Sequence, residues 1–165
     1  IDASIQKGIR FIQSKQLPDG SWLGSWAVCF TYGTWFALTA LAAAGEAEGI
    51  AAKRGCEFLL SKQNTDGSWG ESFQSSVKKE YIPHREGQVI NTAWALLALM
   101  VCRYPNRKAI DKGIAFLLSK QTAQGDWPQQ GISGVFNFNC MITYTAYRNV
   151  FPIWALARFV KFYAV

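Results

Sequence analysis

The side chains that could do acid, nucleophilic or metal chemistry are few and scattered. One histidine, four cysteines and eleven carboxylates stand among 165 residues. Cys29, Cys56, Cys102 and Cys140 lie far apart in the chain, with no C-x-x-C pair. A structural zinc site needs about four clustered nitrogen or sulfur ligands, so no metal is expected and the cysteines read as free thiols. His84 sits between Pro83 and Arg85 in polar surroundings, where a solvated imidazole is expected. The carboxylates fall at the start (Asp2), in turns (Asp19, Asp66, Asp126), on amphipathic helices (Glu57, Asp111) and in loops (Glu46, Glu48, Glu71, Glu80, Glu86). None falls in the long uncharged stretches that hold most of the 7 Trp, 6 Tyr and 11 Phe. Aromatic rings are therefore the abundant chemical resource of this chain.

A unit used three times must position them. Ile5 to Trp22 (IQKGIRFIQSKQLPDGSW), Ala52 to Trp69 (AKRGCEFLLSKQNTDGSW) and Ile110 to Trp127 (IDKGIAFLLSKQTAQGDW) align without a gap. Gly8/Gly55/Gly113, Phe11/Phe58/Phe116, Gln16/Gln63/Gln121, Gly20/Gly67/Gly125 and Trp22/Trp69/Trp127 coincide. Internal repeats fix an architecture before any other feature does. Ile5, Ile9 and Ile12, like Ile110, Ile114, Leu117 and Leu118, recur at helical spacing. Lys7, Arg10, Lys53, Arg54, Lys112 and Lys120 are left for solvent. Pro18-Asp19-Gly20, Asp66-Gly67 and Gly125 stop each helix. The Trp that follows is placed to bury its ring on the helix end. Gly at the helix start predicts close approach of a neighbouring helix.

Each unit is followed by a stretch almost free of charge: Gly24 to Gly45, then Gln88 to Cys102 after a longer polar loop through Lys78 to Glu86, then Pro128 to Phe159. Helices polar on one side suit an outer ring and apolar helices an inner one. Repeated antiparallel pairs of this kind build an all-α fold, an α/α toroid, of which three pairs make roughly half of a six-pair ring.

No charge occurs between Asp19 and Glu46, long enough on paper to cross a bilayer. Gly20, Ser21, Gly24, Ser25, Thr31, Gly33 and Thr34 interrupt it, and only Trp35 to Ala44 is continuously helix-like, so a buried helix is expected. The net charge of +6 permits anionic partners. Basic residues never run longer than a pair, however, which points to a solvated basic surface and no nucleic acid. The first residues carry no signal-peptide pattern. The missing initiator Met leads us to expect that the chain begins inside a longer protein.

The spaced Gly, Phe, Ile/Leu, Gln, Gly and Trp of the repeat are similar to the QW motif of squalene and oxidosqualene cyclases. Gly24 through Phe36, Asn91-Thr92-Ala93-Trp94, Gly134-Val135-Phe136-Asn137 and Tyr147 through Leu156 resemble the same family. The resemblance covers essentially all of residues 1–165. It places them in the carboxy-terminal part of a squalene-cyclase-type α/α barrel domain, as an incomplete ring. It implies two α/α barrel domains with a cavity between them. It further implies cyclisation of 2,3-oxidosqualene to a sterol or triterpene skeleton without metal or organic cofactor, and a monotopic seat on one leaflet of the endoplasmic reticulum membrane or on a lipid droplet. Asn137 and the run Asn139 to Tyr144 resemble cycloartenol or lanosterol synthases, whereas Lys79 to Pro83 resembles amyrin synthases. The product skeleton is left open between them. Phe138 and Ala27 depart from the family, which usually has a basic residue and Gly there.

The resemblance also assigns roles. Cyclisation starts when an acid protonates the epoxide, and the cation then migrates along the forming rings. Aromatic faces favour a nearby cation by about 2 kcal/mol or more when desolvated. Residue by residue, Trp26, Phe136 and Tyr144 are expected to line the cavity and bind substrate. Gln16, Trp22, Gln63, Trp69, Gln121 and Trp127 are expected to be structural. Tyr147, Phe30 and Tyr32 are expected in the core or behind the wall. The family's acid belongs to an Asp-Cys-Thr-Ala-Glu motif absent here, so no catalytic residue is expected in this chain and the chain alone is expected to be inactive. Two rivals remain. A protein prenyltransferase β-subunit also builds an aromatic α/α toroid but binds zinc through Asp, Cys and His. A non-catalytic α/α repeat module would bind partners instead.

Overall fold

A computed structural model describes residues 1–163 of the chain. The elements run α1 (Asp2–Ser14), α2 (Cys29–Ala43), α3 (Ile50–Ser61), β1 (Trp69–Glu71), α4 (Gln74–Lys78), β2 (Pro83–Gln88), α5 (Val89–Val101), α6 (Arg107–Lys120), β3 (Gly134–Phe136), β4 (Cys140–Ile142) and α7 (Tyr147–Tyr163). The amphipathic helices α1, α3 and α6 form an outer layer and α2, α5 and α7 an inner one. Within the inner layer α5 packs against both α2 and α7. Every residue of α5 from Val89 to Met100 is buried. A helix apolar on all sides can lie nowhere else.

The repeat owes its persistence to one junction, built the same way each time. Gly20, Gly67 and Gly125 turn the chain at φ of 91°, 88° and 85°, a region that favours glycine. The indole N–H of Trp22, Trp69 and Trp127 then donates to the carbonyls of Ile12, Leu59 and Leu117 at 2.7, 2.7 and 2.9 Å. Those carbonyls belong to the last turn of the preceding helix, where the regular i→i+4 partners run out. The Gln amide N–H groups of Gln16 and Gln63 bind their own turn and also reach forward, to the carbonyls of Ala51 and Ala109 at 2.8 and 2.9 Å. Each unit thereby caps itself, and the first two also tie down the start of the next outer helix.

The repeat glycines expected at the helix starts lie instead mid-helix, and Gly55 and Gly113 receive a ring rather than a neighbouring backbone. A Cβ on Gly55 would come within 2.8 Å of the Trp22 ring and 3.0 Å of Leu38. On Gly113 it would meet Leu96 at 2.9 Å and Trp69 at 3.0 Å. A Cβ on Gly8 meets nothing within 4 Å. Phe11 agrees with this, being 62% exposed where Phe58 and Phe116 are 3% and 6% exposed.

Other expectations need correcting. The polar loop through Lys78 to Glu86 is structured: α4 ends in Lys79 at φ 57°, and β2 pairs antiparallel with β1. The all-α fold thus carries two small two-stranded sheets. The third apolar stripe is Ile110, Ile114 and Leu117, flanked by Phe116, while Leu118 lies just off it and is exposed, as is Ile5 in the first. Cys56 and Cys102, distant in sequence, come together where α3 meets the end of α5, Cys102 raising the Cys56 thiol and Cys56 lowering that of Cys102, and all four thiols are free. The inner helix expected from Trp35 begins at Cys29. No helix among the described residues is long and apolar enough to cross a membrane.

Candidate cavity wall

Trp26 stands on the loop between the first repeat turn and α2. This loop lies flat on the helix, because a Cβ on Gly33 would come within 2.6 Å of the Gly24 nitrogen. Gly24 N–H donates to the Cys29 carbonyl at 3.0 Å. Ala27 adopts φ 56° and is buried, a conformation costly for a residue with a Cβ. This explains in physical terms why glycine suits the position. Beyond it, Val28 N–H donates to Ser133 at 3.0 Å, and Trp26 pairs as an isolated bridge with Phe136. The loop is in effect a third strand beside the β3–β4 hairpin, whose register sets Phe136 against Cys140. Tyr144, just after β4, lies against the bare backbone of Gly134.

Three residues far apart in sequence thus meet. The Trp26 and Phe136 rings are edge to face with centroids 5.1 Å apart. Tyr144 stacks on Trp26 at 6.4 Å and on Tyr147 at 4.5 Å. Tyr147 carries the chain of rings on to Phe151 (4.9 Å), Trp94 (5.4 Å from Phe151) and Trp35 (6.3 Å from Trp94). Trp26 and Phe136 are 36% and 43% exposed, so part of each ring is free to meet a ligand. Trp26, with Phe11, Leu23, Tyr32 and Phe36, lines an apolar groove of about 790 Å³. Among the described residues Lys15 is the one charged group lining it. Burial, reinforced by the neighbouring Tyr144 and Tyr147, raises the Tyr32 hydroxyl above its ordinary value, and burial raises Tyr147 likewise. Such phenols stay neutral.

The placements bear on the assigned roles. Tyr32 and Tyr147, assigned to core or background, belong to the same half-buried ring cluster. Phe30 faces the other way, onto Tyr81 at 6.3 Å. His84 lies half-buried in β2, its Nδ1 accepting from the Glu86 N–H at 3.1 Å. Gln121 bonds only its own turn, through the Gly125 carbonyl at 3.0 Å.

Glu71 corrects the reading of the carboxylates. Placed in a loop by sequence, it is fully buried at the end of β1, against the start of an inner helix. It accepts from Phe30 N–H at 3.0 Å, Thr31 N–H at 2.7 Å and the Thr31 hydroxyl at 2.7 Å. Burial raises its carboxyl above the ordinary glutamate value, against the lowering effect of these donors. Its negative charge and burial push the Cys29 thiol up to about 12, with burial the larger cause. A signal for this role exists in the sequence. The residues that open α2, Val28 and Cys29, offer no capping side chain, so the helix needs an acceptor from elsewhere.

The pairing of outer and inner helices recurs in a solved structure, which agrees on the fold. The chain superimposes with TM-score 0.71 on ent-copalyl diphosphate synthase from Streptomyces platensis, at 24% identity over 95% of this chain and 28% of that one. The squalene-hopene cyclase C-terminal domain family matches residues 2–161, and the chain belongs to that family. It is 58% identical over 164 residues to the cycloartenol synthase of Dictyostelium discoideum, covering 99% of this chain and 23% of that protein. It is 49% identical over 168 residues to the human lanosterol synthase and 46% over 165 to that of Saccharomyces cerevisiae, with 99% and 23% coverage in both. The chain therefore spans less than a quarter of the length of these relatives.

Proposed function

We propose that the chain supplies cavity wall and scaffold to an oxidosqualene cyclase, which converts 2,3-oxidosqualene to a protosterol or pentacyclic triterpene. The observation that carries this reading is the convergence of Trp26, Phe136 and Tyr144 into one partly open cluster of rings. A migrating carbocation needs a site free of nucleophiles and water, with negative π faces fixed before the charge arrives. The mostly apolar lining of the groove and the fixed ring faces beside it support this reading. The three helix pairs form part of a larger α/α ring, and the acid that protonates the epoxide comes from another part of the synthase. Attachment to one membrane leaflet, at the endoplasmic reticulum or a lipid droplet, belongs to the same reading and is a property of the whole synthase.

The test is a graft. This chain replaces the matching quarter of the Dictyostelium cycloartenol synthase, and yeast lacking its own cyclase is scored for cyclic triterpenes by gas chromatography and mass spectrometry. The proposal expects a cyclic product. A folded graft that leaves oxidosqualene to accumulate would overturn it.

A further inference from the structure

The cavity reading uses no carboxylate of this chain, yet one of the least accessible polar side chains is Glu71. Its surroundings show what it does. Beside its bonds to Phe30 and Thr31, the Cys29 thiol lies 3.8 Å from its Oε1. Ser75, in α4, accepts from the Ile82 N–H at 2.9 Å and donates to the Ile82 carbonyl at 3.3 Å. The adjacent Ser76 hydroxyl donates to the Ala27 carbonyl at 3.3 Å. Ser75 and Ser76 are themselves buried. Every residue from Ala27 to Thr31 except Val28 is thus touched by the segment Glu71–Ser76, and Val28 is held by Ser133. Just beyond this segment, the Lys79 ammonium lies 5.2 Å from the ring centre of Phe138, in the turn that follows Phe136 on the other half of the wall.

We propose that Glu71 is a positioning residue: its carboxylate, backed by Ser76, fixes the start of α2 and through Ala27 sets the ring of Trp26 against Phe136. The inference rests on the cyclase reading for its consequence but not for its geometry. Ala27 needs such a hold, because a non-glycine residue at φ 56° persists only where its surroundings over-determine it. The carboxylate meets the need since it is acceptor-only and offers both oxygens to donors that all point the same way. An amide of equal size would present one acceptor and turn N–H groups toward N–H groups.

The experiment uses the grafted synthase carrying Glu71→Gln, with Ser76→Ala as a second variant that leaves the carboxylate in place. Hydrogen exchange should accelerate by about tenfold or more over residues 24–31 in Glu71→Gln and less in Ser76→Ala, with α5 exchanging as before. The share of prematurely terminated or altered cyclisation products should rise about fivefold in Glu71→Gln, while the substrate KM changes little. Exchange that rises equally in α5, or that does not rise at 24–31 in either variant, would overturn the positioning role. So would local loosening with product shares identical to the unsubstituted graft. An unsubstituted graft that makes no cyclic product defeats the cyclase reading and the claim on products together, whereas the exchange measurement reports on the clamp by itself.

Discussion

Replacing the mid-helix glycine of each repeat by alanine should stabilise one station and not the two equivalent ones. Gly8, Gly55 and Gly113 all lie inside outer helices, so each replacement gains the same helix propensity, about 0.8–1.0 kcal/mol. What differs is the space. At Gly8 the new methyl meets nothing within 4 Å, and Gly8→Ala should stabilise the purified chain by about that full amount. At Gly55 and Gly113 it lands 2.8 and 3.0 Å from the Trp22 and Trp69 rings and 3.0 and 2.9 Å from Leu38 and Leu96. Those indoles are tethered by 2.7 Å hydrogen bonds to Ile12 and Leu59 and cannot swing clear. Overpacking of this kind costs about 1–3 kcal/mol, which cancels or exceeds the propensity gain. The difference between stations is thus about 1–3 kcal/mol, and unfolded-state effects common to Gly→Ala drop out of it. For a chain of this size each kcal/mol moves Tm by about 2–4 °C. Calorimetry on the three single variants should find Gly8→Ala above Gly55→Ala and Gly113→Ala by several degrees. Equal shifts at all three stations would refute the claim that the Trp ring of one repeat seats on the glycine of the next.

Glu71 gives a dependence on pH. Its carboxyl is raised from 4.5 by burial, so the native state holds the proton more tightly than the unfolded chain does. Its contribution to stability is then fully present below 4.5 and is lost as pH climbs through the folded-state value. Glu71→Gln should remove that part of the slope in Tm against pH, and an unchanged slope would show that other groups cause it. The purified chain by itself should turn over no 2,3-oxidosqualene, since no carboxylic acid among the described residues lines the groove; product formed without an upstream partner would contradict the division of labour proposed above.

Much of this was legible before any coordinates. The triplicated Gln, Gly and Trp announced a junction, and each does the same bonding in its own repeat. The charge-free stretches announced the inner layer, because a helix without a polar face has to be enclosed. Trp26, Phe136 and Tyr144 could be named only through family resemblance. Their meeting depends on a hairpin and a strained loop that carry no periodic signal. Glu71 escaped because its role is defined by what it caps, a helix beginning 42 residues earlier in the chain at Cys29. A glutamate in a polar run looks the same whether its carboxylate turns outward or inward. The approach of Cys56 to Cys102 is invisible for the same reason, being set by how α3 lies along α5 and not by local spacing.

The account stands or falls on whether the exposed rings face a migrating positive charge. The direct measurement is the triterpene profile of the grafted synthase with Trp26→Leu, which keeps an apolar side chain but removes the π face. A wall that steers the cation predicts a shift toward prematurely terminated or rearranged skeletons with protein levels maintained. A profile indistinguishable from that of the unsubstituted graft would mean that Trp26 is packing alone.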